Sequence, residues 1–383
     1  MSHPSVSRSP RRAAWALGLL VTLGAAAPAG AQARPDQVLW RNARGQVNTV
    51  IGKVSENSLT QVVVDTGSSQ RKLDAMAVQR IEFGDVPAPF AEGQAYAERG
   101  DFENAAAKFA LAAADAGARP VVRARARLAA AESWLKKSRG DEAALASAQK
   151  ECELFLSEFA SNRDVPGARL LLGRVQRLAG DGPKAAETYA ALFREAAAAT
   201  PGYPPLLSFQ AGIGAGEAYL LIGDAARARE IYLALESAIA GALASLPDGD
   251  PLRVQYTALQ SEARLGEGYC LMASGSLAQA RTFFQGQLTG AENNPARRFG
   301  AHLGLGEVLL AEGNARAAQI EFAQVSAIDH TNRDRTARAL VGLAESALKL
   351  NARNDAKLWL EAVRTQHGDT PAALKAQELE KNL

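Results

Sequence analysis

Two hydrophobic patterns divide the chain. Residues 36 to 83 carry three short runs rich in β-branched residues, separated by turns of Asn, Gly and Ser: Val47 to Val54, Leu59 to Asp65 and Val78 to Phe83. Such runs are typical of short antiparallel strands. From Ala91 onward alanine is abundant, which favours closely packed helices. The pattern therefore predicts a small β module of four or five strands at residues 36–86, followed by a longer helical region.

The helical region repeats one arrangement of residues. Each of four units begins with a glycine. An apolar residue follows three positions after it, and a second glycine four positions after the apolar residue. An alanine comes five positions after the second glycine, and an aromatic residue four positions after the alanine. These units start at Gly93, Gly216, Gly268 and Gly306. Three degenerate units start at Ser133, Gly173 and Ala344. A fixed arrangement that recurs in this way is the mark of a repeat protein.

The spacing has a mechanical interpretation. The first glycine falls in mid-helix, where it costs about 1 kcal/mol against Ala. That cost is reasonable if the glycine admits a neighbouring helix at close range. The second glycine ends the first helix in the left-handed conformation. Asp or Asn follows at several of these turns and is expected to cap the second helix: Asp101, Asp181, Asp224 and Asn314. Each unit is thus predicted to be a helical hairpin.

These residues resemble the signature of the tetratricopeptide repeat family over residues 88–365. The resemblance implies a mostly α fold, a right-handed α-α superhelix of about seven helical hairpins, preceded by the β module. Residues 366–383 are predicted to form a C-terminal capping helix opened by Thr370-Pro371. The turn residues lie 38 to 52 residues apart, against about 34 in the family. The longer spacing leaves a related helical-repeat class open, and part of the extra length lies in Pro-rich loops at residues 200–205 and 246–251.

The β module resembles a small Sm-like or SH3-like barrel in the spacing of its strands. The resemblance rests on Gly45, Gly52-Lys53-Val54, Leu59 to Val64 and Val78 to Ile81. Barrels of this type bind RNA in other proteins, but this segment lacks a basic face interleaved with aromatic residues. We expect no nucleic-acid partner, because the chain carries 43 Lys and Arg against 41 Asp and Glu. The expected role of the module is an adaptor or a cap for the helical array.

The first 33 residues have the pattern of a bacterial signal peptide. Arg8, Arg11 and Arg12 precede an apolar segment at residues 13–27, and Ala31-Gln32-Ala33 fits a cleavage site after Ala33. An uncleaved anchor is the alternative. The rest of the chain has no apolar span long enough to cross a membrane. We therefore predict a periplasmic or secreted protein whose Cys152 and Cys270 are buried, reduced thiols too far apart to pair.

Catalytic and cofactor motifs are not found. His302, His330 and His367 have no partner at the spacing of a metal motif. The glycines at positions 212–216 and 304–306 do not complete a dinucleotide fingerprint and do not follow a strand. The sequence therefore predicts no enzyme, no metal and no cofactor.

The repeat register instead indicates candidate binding positions. The family resemblance implies that partner proteins bind along the concave face built from the first helices. By that register the groove-facing residues are Gln94, Arg174, Glu217, Tyr269 and Glu307. A merely solvated surface at these positions is the alternative. The predicted function is a non-catalytic scaffold of the bacterial envelope that binds peptide or helical segments of other proteins. The alternative function is an adaptor for cell-wall or polysaccharide machinery in which the β module binds the ligand.

Overall fold

The computed structural model describes residues 34–42, 44–138, 141–197, 200–329, 332–381 and 383. Residues 35–383 form one compact unit. The predicted signal peptide, His330 and the predicted turn glycine at position 140 lie outside the described residues. None of the helices in the described ranges is both long enough and apolar enough to cross a membrane.

The β module is a five-stranded antiparallel sheet with the order β4-β3-β2-β1-β5. Its strands are β1 (Asp36–Arg41), β2 (Val47–Asn57), β3 (Gln61–Asp65), β4 (Gln70–Asp74) and β5 (Val78–Glu82). A single 3-10 turn at Ala75–Ala77 links β4 to β5 and sends β5 to the far edge of the sheet, beside β1. Because of this path β4 and β5 are two separate edges in the described structure. The predicted antiparallel strands are confirmed, but the predicted closed barrel is wrong.

Fifteen helices are described after the sheet. They are α1 (Ala88–Glu98), α2 (Phe102–Ala114), α3 (Pro120–Ser138), α4 (Glu142–Glu158), α5 (Val165–Leu178), α6 (Gly182–Ala197), α7 (Pro205–Leu221), α8 (Ala225–Ser245), α9 (Leu252–Ala273), α10 (Leu277–Leu288), α11 (Pro295–Ala311), α12 (Ala315–Ser326), α13 (Arg333–Lys349), α14 (Arg353–Gln366) and α15 (Ala372–Glu380). The first fourteen form seven consecutive hairpins, as predicted, and α15 packs on the last of them. We call the odd-numbered helices from α1 to α13 the A helices, and their even-numbered partners the B helices.

The turns inside the hairpins have the predicted chemistry. Five of these turns contain a glycine with φ between 77° and 85°, and the last contains Asn351 with φ of 62°. The glycines are Gly100, Gly180, Gly223, Gly275 and Gly313. After four of the glycines the next side chain accepts a backbone hydrogen bond from the start of the B helix, for example Asp224 from the amide of Arg227 at 3.0 Å. Ser276 and Ala352 make no such bond. These left-handed turns and caps end one helix and start the next within a few residues.

An aromatic ring on four of the B helices lies between two glycines. The ring of Tyr232 packs against Gly216 of its own hairpin and Gly266 of the next A helix, and a Cβ at either position would come within 2.4 Å of it. The same arrangement places Tyr189 between Gly173 and Gly214, Phe284 between Gly268 and Gly304, and Phe322 between Gly306 and Gly342. The space that each ring occupies is the space of two missing side chains. The predicted close approach of neighbouring helices is thus confirmed.

One degenerate hairpin lacks both the aromatic ring and the second glycine. In the unit that starts at Ser133, the position of the aromatic residue is taken by Gln149. The next A helix has Leu171 in place of the second glycine. The glycine is therefore missing where no ring needs its space.

The array curves with its A helices inside. From α3 to α13 successive A helices contact one another, whereas no two successive B helices in the described residues make comparable contact. The curvature brings the C-terminal end back to the second and third hairpins. Leu374 of α15 packs into an apolar cluster with Leu135, Leu145 and Leu178. The Nη2 of Arg174 on α5 donates to the main-chain oxygen of Asp369 at 3.1 Å.

A buried ion pair joins the β module to the array. The guanidinium of Arg119, between α2 and α3, donates to both carboxylate oxygens of Asp36 at 2.6 and 2.8 Å. The amides of Val54 and Gly84 donate to the same carboxylate. Burial alone would raise the pKa of Asp36, but the hydrogen bonds from Arg119 and the two amides hold it below its ordinary value. The module is thus fixed to the first hairpins by a fully paired carboxylate.

The turn between β2 and β3 extends this attachment along the array. The amide of Leu59 donates to the main-chain oxygen of Ser161, between α4 and α5, at 2.8 Å. Gly202, between α6 and α7, lies so close that a Cβ there would come within 2.2 Å of the main-chain oxygen of Leu59. The module therefore touches the loops between hairpins along one edge of the array.

Because Tyr232 packs against Gly216, replacing glycine by alanine should destabilise the protein at this position and stabilise it at a second helical glycine. Gly216→Ala should lower the free energy of unfolding by about 1–3 kcal/mol, because the new methyl group collides with the ring of Tyr232. Gly241→Ala on α8 is the matched control. No atom lies within 4 Å of its Cβ position, so it should raise stability by about 0.5–1 kcal/mol. Urea denaturation of both variants measures this, and equal effects would contradict the packing.

Candidate functional site

The concave side of the array holds two adjoining, half-open cavities. The larger has a volume of about 1600 Å³ and is lined by A helices, by β5 and by the connection between α14 and α15. The smaller has a volume of about 850 Å³ and is lined mainly by α7, α9, α11, α13 and α15. Several residues line both cavities, among them Arg177, Glu217, Glu262 and Asp334. We call the two cavities together the channel.

The five candidate positions lie at or beside this channel. Gln94, Arg174 and Glu217 line the larger cavity, and Glu217 and Tyr269 line the smaller one. Glu307 lines neither, but its carboxylate binds Arg338, which lines the smaller cavity. Each of the five directly follows the first residue of its repeat unit. The repeat thus places successive polar side chains toward one interior space.

Ion pairs between neighbouring elements organise the channel wall. Arg177 on α5 forms a salt bridge with Glu217 on α7. The Nη2 of Arg338 on α13 donates to the two carboxylate oxygens of Glu307 on α11 at 2.9 and 3.0 Å. The same guanidinium lies over the ring of Tyr269 on α9, 4.9 Å from its centroid. The side chains in these two ion pairs are between 16% and 33% exposed, so they are screened from bulk water without being sealed from the channel.

Two carboxyl groups of the channel are held in an unfavourable setting. Burial raises the pKa of Glu262 on α9, although Arg335 lies nearby and the Nδ2 of Asn332 donates to it at 2.9 Å. Burial, together with the charge of Glu217, raises the pKa of Asp334 at the start of α13. Desolvation and like charges both favour the protonated form of an acid. The folded channel therefore holds protons on these groups more tightly than the unfolded chain.

Four buried polar atoms of residues that line the channel have no hydrogen-bond partner among the described residues. They are the Oδ1 of Asn57, the Nη1 of Arg163, the Nε of Arg177 and the Oδ1 of Asp334. All four atoms are shielded from solvent. A buried acceptor or donor without a partner costs about 1–3 kcal/mol. These atoms mark a place where a bound polar group would gain hydrogen bonds that the free protein lacks.

Glu262 and Arg338 line the channel but were not among the predicted positions. Each lies six residues before the first residue of its repeat unit, and so seven residues before the position that directly follows it, Tyr269 or Glu345. Seven residues make two helical turns, so both positions lie on one face. The equivalent residues Gly167, Gln210 and Gly300 also line the channel. A second interior position, at heptad spacing from the first, could therefore have been found in the sequence.

The other candidate chemistry of the chain is structural. In the described residues no group of three or more His, Cys, Asp or Glu side chains is placed to hold a metal ion. The Nδ1 of His302 lies 2.7 Å from a carboxylate oxygen of Glu321 on the neighbouring helix. Cys152 and Cys270 are free and buried, and burial raises their pKa to about 12 and about 11. Thiols with raised pKa values are poor nucleophiles at neutral pH.

Comparisons with known proteins return only distant likenesses. The chain matches no family model and no curated protein. A solved tetratricopeptide repeat protein from Parabacteroides merdae is 14% identical, with a TM-score of 0.47 over 73% of this chain and 92% of that one. The apo form of RapI is 10% identical, with a TM-score of 0.39 over 76% and 80% of the two chains. The repeats of a putative kinesin light chain from Podosopora anserina are 19% identical, with a TM-score of 0.31 over 56% and 98%. The fold of the helical array is therefore established by the contacts within this chain and not by these likenesses.

The raised pKa of Glu262 predicts a pH-dependent stability. An acid whose pKa is higher in the folded chain stabilises that chain at low pH, and the contribution is lost as pH rises through the folded pKa. The wild type should therefore lose stability relative to Glu262→Gln as pH rises above the ordinary carboxyl pKa of 4.5. Urea denaturation at a series of pH values measures the difference. Glu267→Gln, which removes a carboxylate paired with Arg229 outside the channel, is the control. A difference that stays constant with pH would contradict the assignment.

Proposed function

We propose that this chain is a non-catalytic scaffold that binds segments of other proteins in its channel. The observation that carries the proposal is the convergence of the repeat positions on one concave space. On α5, α7 and α9 both heptad-spaced positions line this space, and on α11 and α13 one of the two does. A repeat protein that needed only to fold would have no use for a polar interior of this size. The lining is large, mixed in charge and partly unpaired, which suits the many weak contacts of a peptide.

The charged groups of the channel support binding rather than catalysis. A catalytic site brings a nucleophile or a poised acid and base to within hydrogen-bond reach of one reacting atom. Several charged residues of the channel wall are instead joined in arginine–carboxylate pairs between neighbouring elements, such as Arg177 with Glu217 and Arg338 with Glu307. Such pairs support binding and orientation. The β module supports the same role, because β5 forms part of the channel wall.

The proposed setting is the bacterial cell envelope. It rests on the N-terminal sequence, in which three arginines precede an apolar segment and Ala31-Gln32-Ala33. Export also agrees with the use of only two cysteines, both free and buried, since these thiols need no reducing compartment to stay unpaired. The partners would then be envelope proteins or segments that enter the envelope.

Site-specific crosslinking in cells tests the binding role. A photoreactive benzoylphenylalanine replaces Gln94, which lines the channel, or Gln279, an exposed residue of α10 that does not. The proposal predicts crosslinked partner bands from position 94 and none of comparable yield from position 279. Equal yields at both positions would contradict a channel-directed function. Thermal unfolding of both variants confirms that the substitutions leave the array folded.

Export predicts that signal-peptide cleavage leaves a mature chain with a defined N-terminus. The protein expressed with its own N-terminal sequence in a bacterial host should be recovered from the periplasmic fraction, and its intact mass should correspond to a chain that starts at Arg34. A variant with Ala31→Leu and Ala33→Leu should remain unprocessed, because the small residues that signal peptidases require are absent. Full-length protein in the cytoplasm of wild-type cells would refute the proposed setting.

A further inference from the structure

The outer edge of β5 runs along the channel. Six consecutive residues, from Val78 to Phe83, line the larger cavity. Successive side chains of a strand point to opposite faces of the sheet. A cavity over one face would therefore touch alternate residues, whereas a cavity that touches every residue runs along the edge. The channel thus has a β-strand edge as part of its wall.

The outer edge of β5 has backbone N–H and C=O groups that are available for hydrogen bonds. Strand β5 pairs with β1 on one side. On the other side, no described residue forms a hydrogen bond with the backbone of residues 79–82. Gln79, Arg80 and Glu82 are exposed. In an antiparallel pair, alternate residues turn their N–H and C=O groups away from the partner strand. Those groups of β5 therefore point into the channel.

We propose that an extended segment of a partner protein pairs with β5 inside the channel as a sixth strand of the sheet. The inference rests on the proposed binding function and names the conformation of its ligand. Only an extended backbone presents donors and acceptors at the spacing of a strand edge. The five residues of β5 offer about 17 Å of edge at about 3.4 Å per residue. One edge of the segment would pair with β5, and its side chains would point alternately to the two faces of the extended sheet.

The charges of the larger cavity, which contains the β5 edge, indicate which segments fit. This cavity is lined by eight carboxylates and six arginines. The carboxylates are Glu82, Glu98, Glu132, Asp164, Glu217, Glu262, Asp334 and Asp369. This local excess of acidic groups disfavours acidic segments and favours neutral or basic ones. The smaller cavity adds Glu378, Arg335, Arg338 and Lys375, so the channel as a whole is balanced in charge.

The test uses peptides selected for the channel. Random 12-residue peptides displayed on phage are selected on the chain from residue 34 to 383. Binders are kept if Glu217→Ala weakens them and Glu267→Ala does not. The two glutamates are a matched pair, because both lie on A helices, both bind an arginine, and their side chains are 32% and 35% exposed. Only Glu217 lines the channel.

Backbone N-methylation of such a peptide then distinguishes strand pairing from other modes. Two versions are compared, methylated at the odd or at the even positions of the binding segment. Strand pairing predicts that one version loses affinity by about tenfold per lost hydrogen bond, while the other keeps it. It also predicts that hydrogen exchange of the β5 amides that face the channel slows on binding.

The outcomes separate this inference from the proposed function. Equal sensitivity of the two methylated versions, with unchanged exchange in β5, would overturn strand pairing while channel binding stands. If no selected peptide depends on Glu217, the channel does not bind peptides. Both proposals then fail.

Discussion

The structure depends on aromatic rings that each fill the space of two missing side chains. Tyr232, held between Gly216 and Gly266, shows the principle. The ring belongs to a B helix, and the two glycines belong to successive A helices. One side chain therefore sets the distance within a hairpin and between hairpins at once. Loss of ring volume or addition of a side chain at either glycine would disturb this packing. The same geometry recurs in four successive hairpins, the third to the sixth.

Close packing of the A helices has a consequence at the scale of the whole array. The inner face is shorter than the outer one, so the hairpins curl until the C-terminal end meets the second and third hairpins through Leu374 and Asp369. Curling deepens the concave groove into a channel. The channel in turn explains the electrostatics, because its wall buries the carboxyl groups of Glu262 and Asp334 and raises their pKa values. The β module completes the channel by supplying β5, and Asp36 with Arg119 holds it in place.

Local features were predictable from the sequence, whereas closure was not. The hairpins, the left-handed turns and the polar positions after each unit's first residue follow from spacings within one repeat. The second glycine around each ring, such as Gly266, lies on the next A helix. Spacings within one unit do not show which ring it contacts. The contact of Arg174 with Asp369 joins residues 195 positions apart, and no local pattern encodes it. The barrel prediction failed for a similar reason, since strand spacing does not show whether β4 and β5 meet.

The channel exists only if the array closes, and methyl NMR tests this closure most directly. In protein with labelled leucine and valine methyl groups, the account predicts nuclear Overhauser effects between Leu374 and the methyl groups of Leu145 and Leu178. These residues are far apart in sequence and meet only if the superhelix closes. Absence of these effects, with Leu374 methyl groups accessible to a soluble paramagnetic probe, would show an open array and contradict the account.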